Sequence, residues 1–352
     1  MSRRAALAIA LMLAVGAVMG LAQALGPGDP TTVFASGFTN PCRMAFDASG
    51  DLFVADLGVG QIYRVTPDGT RSLFNDDIAD PRGVTFDAFG NLLVTTRTDT
   101  AVYKISSDGQ ATKFFDVFGA SGIAIGPDGS IWVAAVDSLH HFDAMGRYLE
   151  TFDVGSGGAA AFGITFSPAG ELHMSSFASI HKLVDGAPVP IATGQPVQMR
   201  GFTFDVTGNF YWAYRSLDPD TVSRVKLYSR AGIVLQDSFV TQVQEPCGGR
   251  FARDATGATT DRMFIAQLDG EIREANPEGF PFAGWPVVGL ELDQISEIDA
   301  ADRIVGEPND LDDNQAHFID VIGNNDGSYD IGDFRAYLVE TGVISPSTAA
   351  AR

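Results

Sequence analysis

The chain has 352 residues, 45% of them hydrophobic, which is long enough to bury one large core or two smaller ones. Its 44 acidic residues outnumber its 23 lysines and arginines and give a formal net charge of −21. This balance argues against nucleic acid or an anionic membrane surface as a partner, because both attract basic proteins.

The first segment has the form of an export signal. Arginines at positions 3 and 4 precede an apolar run, which ends in the small-x-small sequence Ala22-Gln23-Ala24. This order predicts a signal peptide over residues 1–24 and a secreted, periplasmic or cell-surface protein. An uncleaved anchor is the alternative, because the run is nearly long enough to span a bilayer. No later stretch is long and apolar enough, so no span is expected after signal removal.

One pattern recurs from residue 46 onward, a D/P-x-x-G turn followed by a strand rich in apolar residues. The turn glycines are Gly50, Gly90, Gly129, Gly170, Gly208 and, in a degenerate unit, Gly257, at intervals of 40, 39, 41, 38 and 49 residues. A second glycine turn follows each of them, at Gly69, Gly109, Gly146, Gly186, Gly232 and Gly279. Glycine supplies the positive φ of tight hairpins, and Asp or Pro favours the preceding positions. Each unit therefore reads as four antiparallel strands.

A four-stranded unit of about 40 residues is typical of a propeller blade. Six units predict an all-β fold, a six-bladed β-propeller over residues 31–290. The segment Thr31–Ala35 matches the sequence between blades and is predicted to form the outermost strand of the last blade, which would close the ring.

The two cysteines occupy corresponding points of the first and last repeats. Cys42 lies in NPCRM and Cys247 in EPCGG, and in a closed ring of six these blades are neighbours. A Cys42–Cys247 disulfide is therefore expected in an exported chain. Two free buried thiols are the alternative.

The units FDASGDLFVAD and FDAFGNLLVTT resemble the six-bladed NHL-repeat, gluconolactonase and streptogramin-lyase-like propellers of secreted bacterial proteins. That resemblance implies the fold but no single activity, because the group includes lactonases, lyases and binding proteins. Lactonases of this shape resemble one another in a channel metal held by Glu, Asn and Asp. The positions that end the second strands here are Asp56, Thr96, Ala135, Ser176, Tyr214 and Gln267. One carboxylate is too few for a hard cation.

Streptogramin lyases resemble one another in a histidine-based site. The histidines His140, His141, His173 and His181 belong to blades 3 and 4 here, and we expect them on strand surfaces rather than in a converging site. The sequence therefore favours a non-catalytic binding protein, with a lactonase- or lyase-like hydrolase as the alternative.

Arginines gather on one face of the expected ring. Loops that lead into the innermost strands carry Arg82 and Arg200, with Arg43 and Arg250 beside them, and loops after the second strands add Arg97 and Arg215. Arginine pairs well with carboxylates. This predicts a site at the channel mouth for a small anion, such as a sugar acid, or for a protein partner, with Asp56 and Tyr214 as further lining residues. The alternative is that these arginines bond loop carbonyls between blades.

The pattern changes after residue 290, where residues 291–345 become acidic and helical in character. The stretch DVIGNNDGSYDIGDFRAYL resembles half of a dockerin module, an EF-hand-type calcium loop followed by a helix. The resemblance implies one Ca²⁺ bound by Asp320, Asn324, Asp326, Ser328, Asp330 and Asp333. Ile322 falls at the first ligand position, so a longer loop would be needed to bring in Asp320. An acidic tail with an incidental turn is the alternative.

Two helices are expected around that loop. One would enter over Leu311–Ile319, and the exit helix would pack through Ile331, Phe334, Tyr337 and Leu338, which recur at helical spacing. This module would pack on the propeller, mediate assembly or attach the protein to a cell surface.

Overall fold

The computed structural model describes residues 31–155, 163–176, 179–193, 198–205, 208–215, 223–230, 232, 234–240, 243–253, 259–275, 295–305, 311, 316, 319 and 331–341. The predicted signal segment 1–24 lies outside these ranges.

In these ranges, strands form six four-stranded antiparallel sheets, the blades of a propeller. Blades 1 to 3 comprise β2 (Pro41–Phe46), β3 (Leu52–Asp56), β4 (Gln61–Val65), β5 (Arg71–Asn75), β6 (Pro81–Phe86), β7 (Leu92–Thr96), β8 (Ala101–Ile105), β9 (Ala111–Asp116), β10 (Ile123–Ile125), β11 (Ile131–Ala134), β12 (Ser138–Phe142) and β13 (Tyr148–Asp153). Blades 4 to 6 comprise β14 (Gly163–Phe166), β15 (Leu172–Ser175), β16 (Ser179–Val184), β17 (Ala187–Thr193), β18 (Gln198–Phe204), β19 (Phe210–Arg215), β20 (Arg224–Tyr228), β21 (Val234–Val240), β22 (Pro246–Arg253), β23 (Thr259–Gln267), β24 (Glu271–Ala275) and β1 (Thr31–Ser36).

The ring closes through its first strand. β1 pairs antiparallel with β24, from Thr31 opposite Ala275 to Ser36 opposite Glu271, and completes blade 6. The innermost strands contact one another in ring order, and β22 contacts β2. The predicted six-bladed fold and the closing role of Thr31–Ala35 are confirmed, with the strand one residue longer than expected.

The predicted disulfide is also present. Cys42 on β2 is bonded to Cys247 on β22, with Cα atoms 5.0 Å apart and a sequence separation of 205. It therefore joins the innermost strands of the first and last blades, whereas β1 pairs with β24 at the outer edge of blade 6.

The first turn of blade 1 is built by its aspartate, and blades 2 and 5 carry an aspartate at the same point. Asp47 Oδ1 accepts the backbone N–H groups of Ser49 and Asp51, both at 2.9 Å. Gly50 has φ of 85°, in the left-handed region that glycine tolerates. Because this bonding is local, the motif is enough to reverse the chain wherever it recurs.

The hydrophobic core lies between blades rather than at the centre of the ring. Buried clusters join each blade to the next, and the one between blades 6 and 1 packs Leu52 and Val54 against Phe264 and Ala35. A second strand is therefore covered on both faces, as β3 shows with five buried residues in succession, four of them apolar.

The described C-terminal residues form a separate small core. Helix α1 (Glu297–Val305) contacts helix α2 (Ile331–Glu340), and the Tyr337 hydroxyl donates to the carbonyl of Ile295 at 2.7 Å. Ala316 and Ile319 are helical and buried in the same cluster.

One expectation about this core was wrong. Phe334, Tyr337 and Leu338 pack into it, but Ile331 is 66% exposed. Ile331 is the first residue of α2, where the helix has not yet reached the packed face. The expected calcium ligands Asp320, Asn324, Asp326, Ser328 and Asp330, and the side chain of Asp333, lie outside the described residues.

The second glycine turn of blade 1 provides a test of ring closure. Gly69 has φ of 83°, and a Cβ on it would overlap the carbonyl oxygen of Phe34 in β1. Gly50 has nearly the same φ, but nothing lies within 4 Å of the corresponding position. Gly50→Ala should cost about 1 kcal/mol of strain, and Gly69→Ala roughly 1–3 kcal/mol more because β1 must move. Urea unfolding measures both, and equal losses would show that Phe34 does not press on this turn.

Candidate ligand site at the channel mouth

The loops before the innermost strands and the loops after the second strands lie on the same face of the ring. We call this the mouth face. The strand partners Pro41 and Asp56 meet there in blade 1, and Pro246 and Gln267 meet there in blade 6. Mouth-face side chains therefore come from the beginnings of innermost strands and the ends of second strands.

Asp56, expected to line the ligand site, fastens a loop. Its buried carboxylate accepts the backbone N–H groups of Thr39 and Asn40, each at 2.7 Å, and of Gly58 at 3.1 Å. Gln267 occupies the same place in blade 6 and accepts the N–H of Gln244. At least two blades therefore use the end of the second strand to hold the loop that leads into the innermost strand.

The other expected ligand residues differ in their partners and in their exposure to solvent. Arg82 forms an ion pair with Asp80 at 2.9 Å, and Arg215 forms one with Glu245 at 2.9 Å. Arg97 is exposed.

Tyr214 is buried, and its ring lies beneath two cations, Arg224 at 5.0 Å and Lys226 at 4.9 Å. Arg200 lies on β18, but its side chain is outside the described residues. Two of the expected arginines therefore have a neighbouring carboxylate, which reduces the positive charge that they offer to a ligand.

A cavity in the channel is lined instead by two other arginines. The residues around it come from all six innermost strands or the loops that lead into them: Arg43, Gly83, Val84, Gly122, Ile123, Gly163, Ile164, Phe202 and Arg250. The described lining contains no carboxylate and no histidine. Its volume available to water is about 20 Å³, enough for about one or two water molecules.

Glycine makes room for these side chains. A Cβ on Gly201 would lie 2.8 Å from Nη1 of Arg43 and 2.8 Å from the carbonyl oxygen of Cys247. Because real Cβ atoms do not approach this closely, only glycine at this position allows Arg43 its present position. Gly248 makes a similar approach, with its Cβ position 2.9 Å from the carbonyl oxygen of Cys42.

Arg250 reaches from blade 6 to blade 1. Its Nε donates to the carbonyl of Met44 at 3.1 Å. Burial, with a smaller contribution from Arg253, lowers the pKa of Arg250 from its usual value to about 10. The guanidinium is therefore still charged at neutral pH, but in surroundings that favour a nearby anion.

Sequence reasoning placed Arg43 and Arg250 only beside the expected site. The sequence nevertheless contains a pattern that distinguishes these two arginines. Four residues before the first turn, blades 2 to 5 carry Gly83, Gly122, Gly163 and Gly201, whereas blades 1 and 6 carry Arg43 and Arg250.

The histidines lie away from this cavity. His140 is held by Ser138 and Thr151, each 3.0 Å from a ring nitrogen. The expectation of strand-surface positions was wrong for His173, which is 3% exposed and packs edge-on against Phe204 at 4.8 Å. Burial is the main cause that lowers the pKa of both histidines, so both are neutral at pH 7.

Within the described residues, no group of three or more His, Cys, Asp or Glu side chains is placed to hold a metal ion. Asp56, the one carboxylate at the ends of the second strands, is engaged by three backbone amides. The donor set of the described residues therefore does not fit the channel metal that a lactonase resemblance implies. No helix in the described part of the chain is long and apolar enough to cross a membrane.

No protein-family model matches the sequence, and no curated protein matches it. Solved structures do match its fold. A gluconolactonase from Xanthomonas campestris is 18% identical, with a TM-score of 0.55 over 69% of this chain and 88% of that one. A virginiamycin B lyase from Staphylococcus aureus is 12% identical, with a TM-score of 0.53 over 70% and 97%. An auxiliary nutrient binding protein from Bacteroides ovatus is 15% identical, with a TM-score of 0.55 over 69% and 75%.

These likenesses establish the propeller fold. At such low identity they do not establish an activity, since the three neighbours differ in what they do.

Removal of the Asp56 carboxylate tests its fastening role. Asp56→Ala leaves buried amides without an acceptor and should lower the free energy of unfolding by about 2–4 kcal/mol. Asp56→Asn should cost less because one oxygen still accepts. Asp99→Ala, in an exposed mouth-face loop, is the matched control and should change stability by less than about 0.5 kcal/mol. Urea unfolding decides, and an Asp56→Ala variant as stable as the control would contradict this role.

Proposed function

We propose that this protein is an exported six-bladed propeller that binds a ligand or partner at its mouth face without transforming it chemically. The observation that carries the proposal is the channel cavity, where the described lining consists of two arginines together with glycine, aliphatic residues and one phenylalanine. Arginine stays protonated at neutral pH and does not serve as a general base. It is well suited to hold an anion.

A lactonase- or lyase-like hydrolase is the competing proposal. It draws on the shared fold of the gluconolactonase and lyase neighbours. Hydrolysis needs a nucleophile, a general base or a metal-bound water. The described residues around the cavity include none of the side chains that usually supply these groups. The nutrient binding protein is a neighbour named for binding, which supports the non-catalytic proposal.

Export is part of the same proposal. The N-terminal segment 1–24 has the order of a signal peptide. The Cys42–Cys247 bond supports it, because disulfides persist mainly in oxidising compartments outside the cytosol. A secreted, periplasmic or cell-surface location follows.

The C-terminal helices carry the second part of the proposal, a Ca²⁺ site of the kind found in EF-hand loops. Residues 320–330 connect Ile319, which is buried in the small helical core, to α2, which belongs to the same core. An EF-hand site lies between two helices that pack together, so the position of this segment in the sequence suits one. Asp320, Asn324, Asp326 and Asp333 are the proposed ligands, with the Ser328 carbonyl and Asp330 completing the set.

The mouth-face proposal is tested by measuring binding and turnover together. Thermal unfolding with a panel of sugar acids, neutral sugars and peptides should identify ligands that raise the melting temperature. Those ligands should be recovered unchanged. Glucono-1,5-lactone and quinupristin should disappear no faster than without protein, with or without added Ca²⁺, Mn²⁺ or Zn²⁺. Saturable turnover of either compound would establish the hydrolase instead.

The calcium proposal is tested on the full chain. Calorimetric titration should give one Ca²⁺ per chain with a dissociation constant of roughly 10⁻⁴–10⁻³ M. Asp326→Ala with Asp333→Ala should abolish binding, because both remove carboxylate ligands. Asp302→Ala in α1, outside the loop, removes a similar charge and should leave binding unchanged. Calcium bound equally by all three proteins would place the ion elsewhere.

A further inference from the structure

Two arginines from different blades share one small cavity. Arg43 belongs to β2 and Arg250 to β22, the innermost strands that ring closure makes neighbours. The disulfide between Cys42 and Cys247 joins the same two strands. Their backbones are therefore fixed relative to each other by a covalent bond within a few residues of each guanidinium.

The position of the cavity defines how a ligand reaches it. Arg43 is the third residue of β2, which begins on the mouth face, so its Cα lies roughly 7 Å along the strand from that end at the usual rise per residue. The first described residues of blades 2 to 4 on the cavity wall, Gly83, Gly122 and Gly163, also lie at or near the beginnings of their strands. The cavity therefore lies just inside the mouth.

The size of the cavity limits what can enter. A volume of about 20 Å³ accommodates about one or two water molecules, or a planar carboxylate that replaces them. A sugar ring or an amino-acid side chain of ordinary size is too large. A ligand would therefore place one small terminal group between the arginines and keep the rest of its body at the mouth.

The surroundings favour an anion at this place. Apart from the two arginines, the described residues of the cavity wall are glycines and apolar side chains, which screen charge less than water does. Both guanidinium groups are cations, so an anion that enters the cavity they line is attracted by both. Arg250 already has one donor engaged with the carbonyl of Met44, but a guanidinium has five N–H donors.

We infer that Arg43 and Arg250 together bind the terminal carboxylate of the ligand, and that this pair selects carboxylic acids over neutral molecules of the same shape. This inference rests on the proposed mouth-face binding and names the chemical group that is bound there. The mouth arginines Arg82 and Arg215, each paired with an acid, then contact the body of the ligand rather than its charge.

The test uses ¹³C-formate as the smallest carboxylate probe, with the full chain and its disulfide intact. Formate should bind with millimolar affinity, seen as concentration-dependent broadening of its ¹³C resonance. Arg43→Gln should weaken binding about 10- to 100-fold, the effect of losing hydrogen bonds to a charged group. Arg147→Gln, an exposed arginine at the second turn of blade 3, removes the same charge on the opposite face and should leave binding unchanged.

Folding of the variants is controlled separately. Arg250→Gln loses the bond to Met44, so Arg250→Lys is measured beside it and should retain part of the affinity as a single point charge. Thermal unfolding and thiol titration verify each variant. If Arg250 variants fail to fold, Arg43→Gln decides alone. Equal formate binding by Arg43→Gln, Arg147→Gln and unmodified protein overturns the inference, as does no binding to unmodified protein.

The ligands from the thermal panel separate this inference from the proposed function. A carboxylic acid and its neutral counterpart, such as gluconate and sorbitol, should differ at least tenfold in affinity. Equal binding of the two, insensitive to Arg43→Gln, would leave the mouth-face binding function in place and remove the carboxylate site. Turnover of the lactone would remove the binding function itself.

Discussion

Closure of the ring is the constraint on which the rest of this structure depends. Each blade buries its two faces only against neighbours, so an open chain of six blades would leave one face of blade 1 and one of blade 6 in water. β1 completes blade 6, and the Cys42–Cys247 bond joins the two blades covalently. A cross-link over about 200 residues is worth on the order of 5 kcal/mol in the chain-entropy account. Arg71 adds to the same seam, with its guanidinium over the rings of Phe38 and Tyr63.

Closure also creates the candidate site. The innermost strands come close together because glycines such as Gly201 and Gly248 leave no side chain between them. Arg43 and Arg250 stand on the two strands that meet only when the ring is closed. The proposed binding site is thus a product of the same contacts that stabilise the fold, and it does not exist in any single blade.

Much of the fold could be predicted from local sequence because local chemistry produces it. The Asp47-type turn needs only its own few residues, and it recurs at the interval of a blade. The site was harder to predict because it depends on register. β2, β6 and β22 each contain an irregularity near the mouth, after Pro41, Pro81 and Pro246, so counting from that end misplaces the side chains that follow. Counting four residues back from the first turn of each blade avoids this error. At that position blades 1 and 6 carry Arg43 and Arg250, whereas the other blades carry glycine. The partners of Arg82 and Arg215 depend on loop conformation, which no repeat specifies.

The pairing of Thr31 with Ala275 has a consequence for how the molecule assembles. β1 is synthesised before β24 and cannot pair until β24 has been made. This contact between residues distant in sequence therefore forms late, and folding is slow. Until then β24 presents an open edge with unpaired backbone groups, which is a template for another chain. A β1 from a second copy is chemically identical to the chain's own. The strand that completes the monomer is therefore also the element that two molecules would exchange in a domain swap.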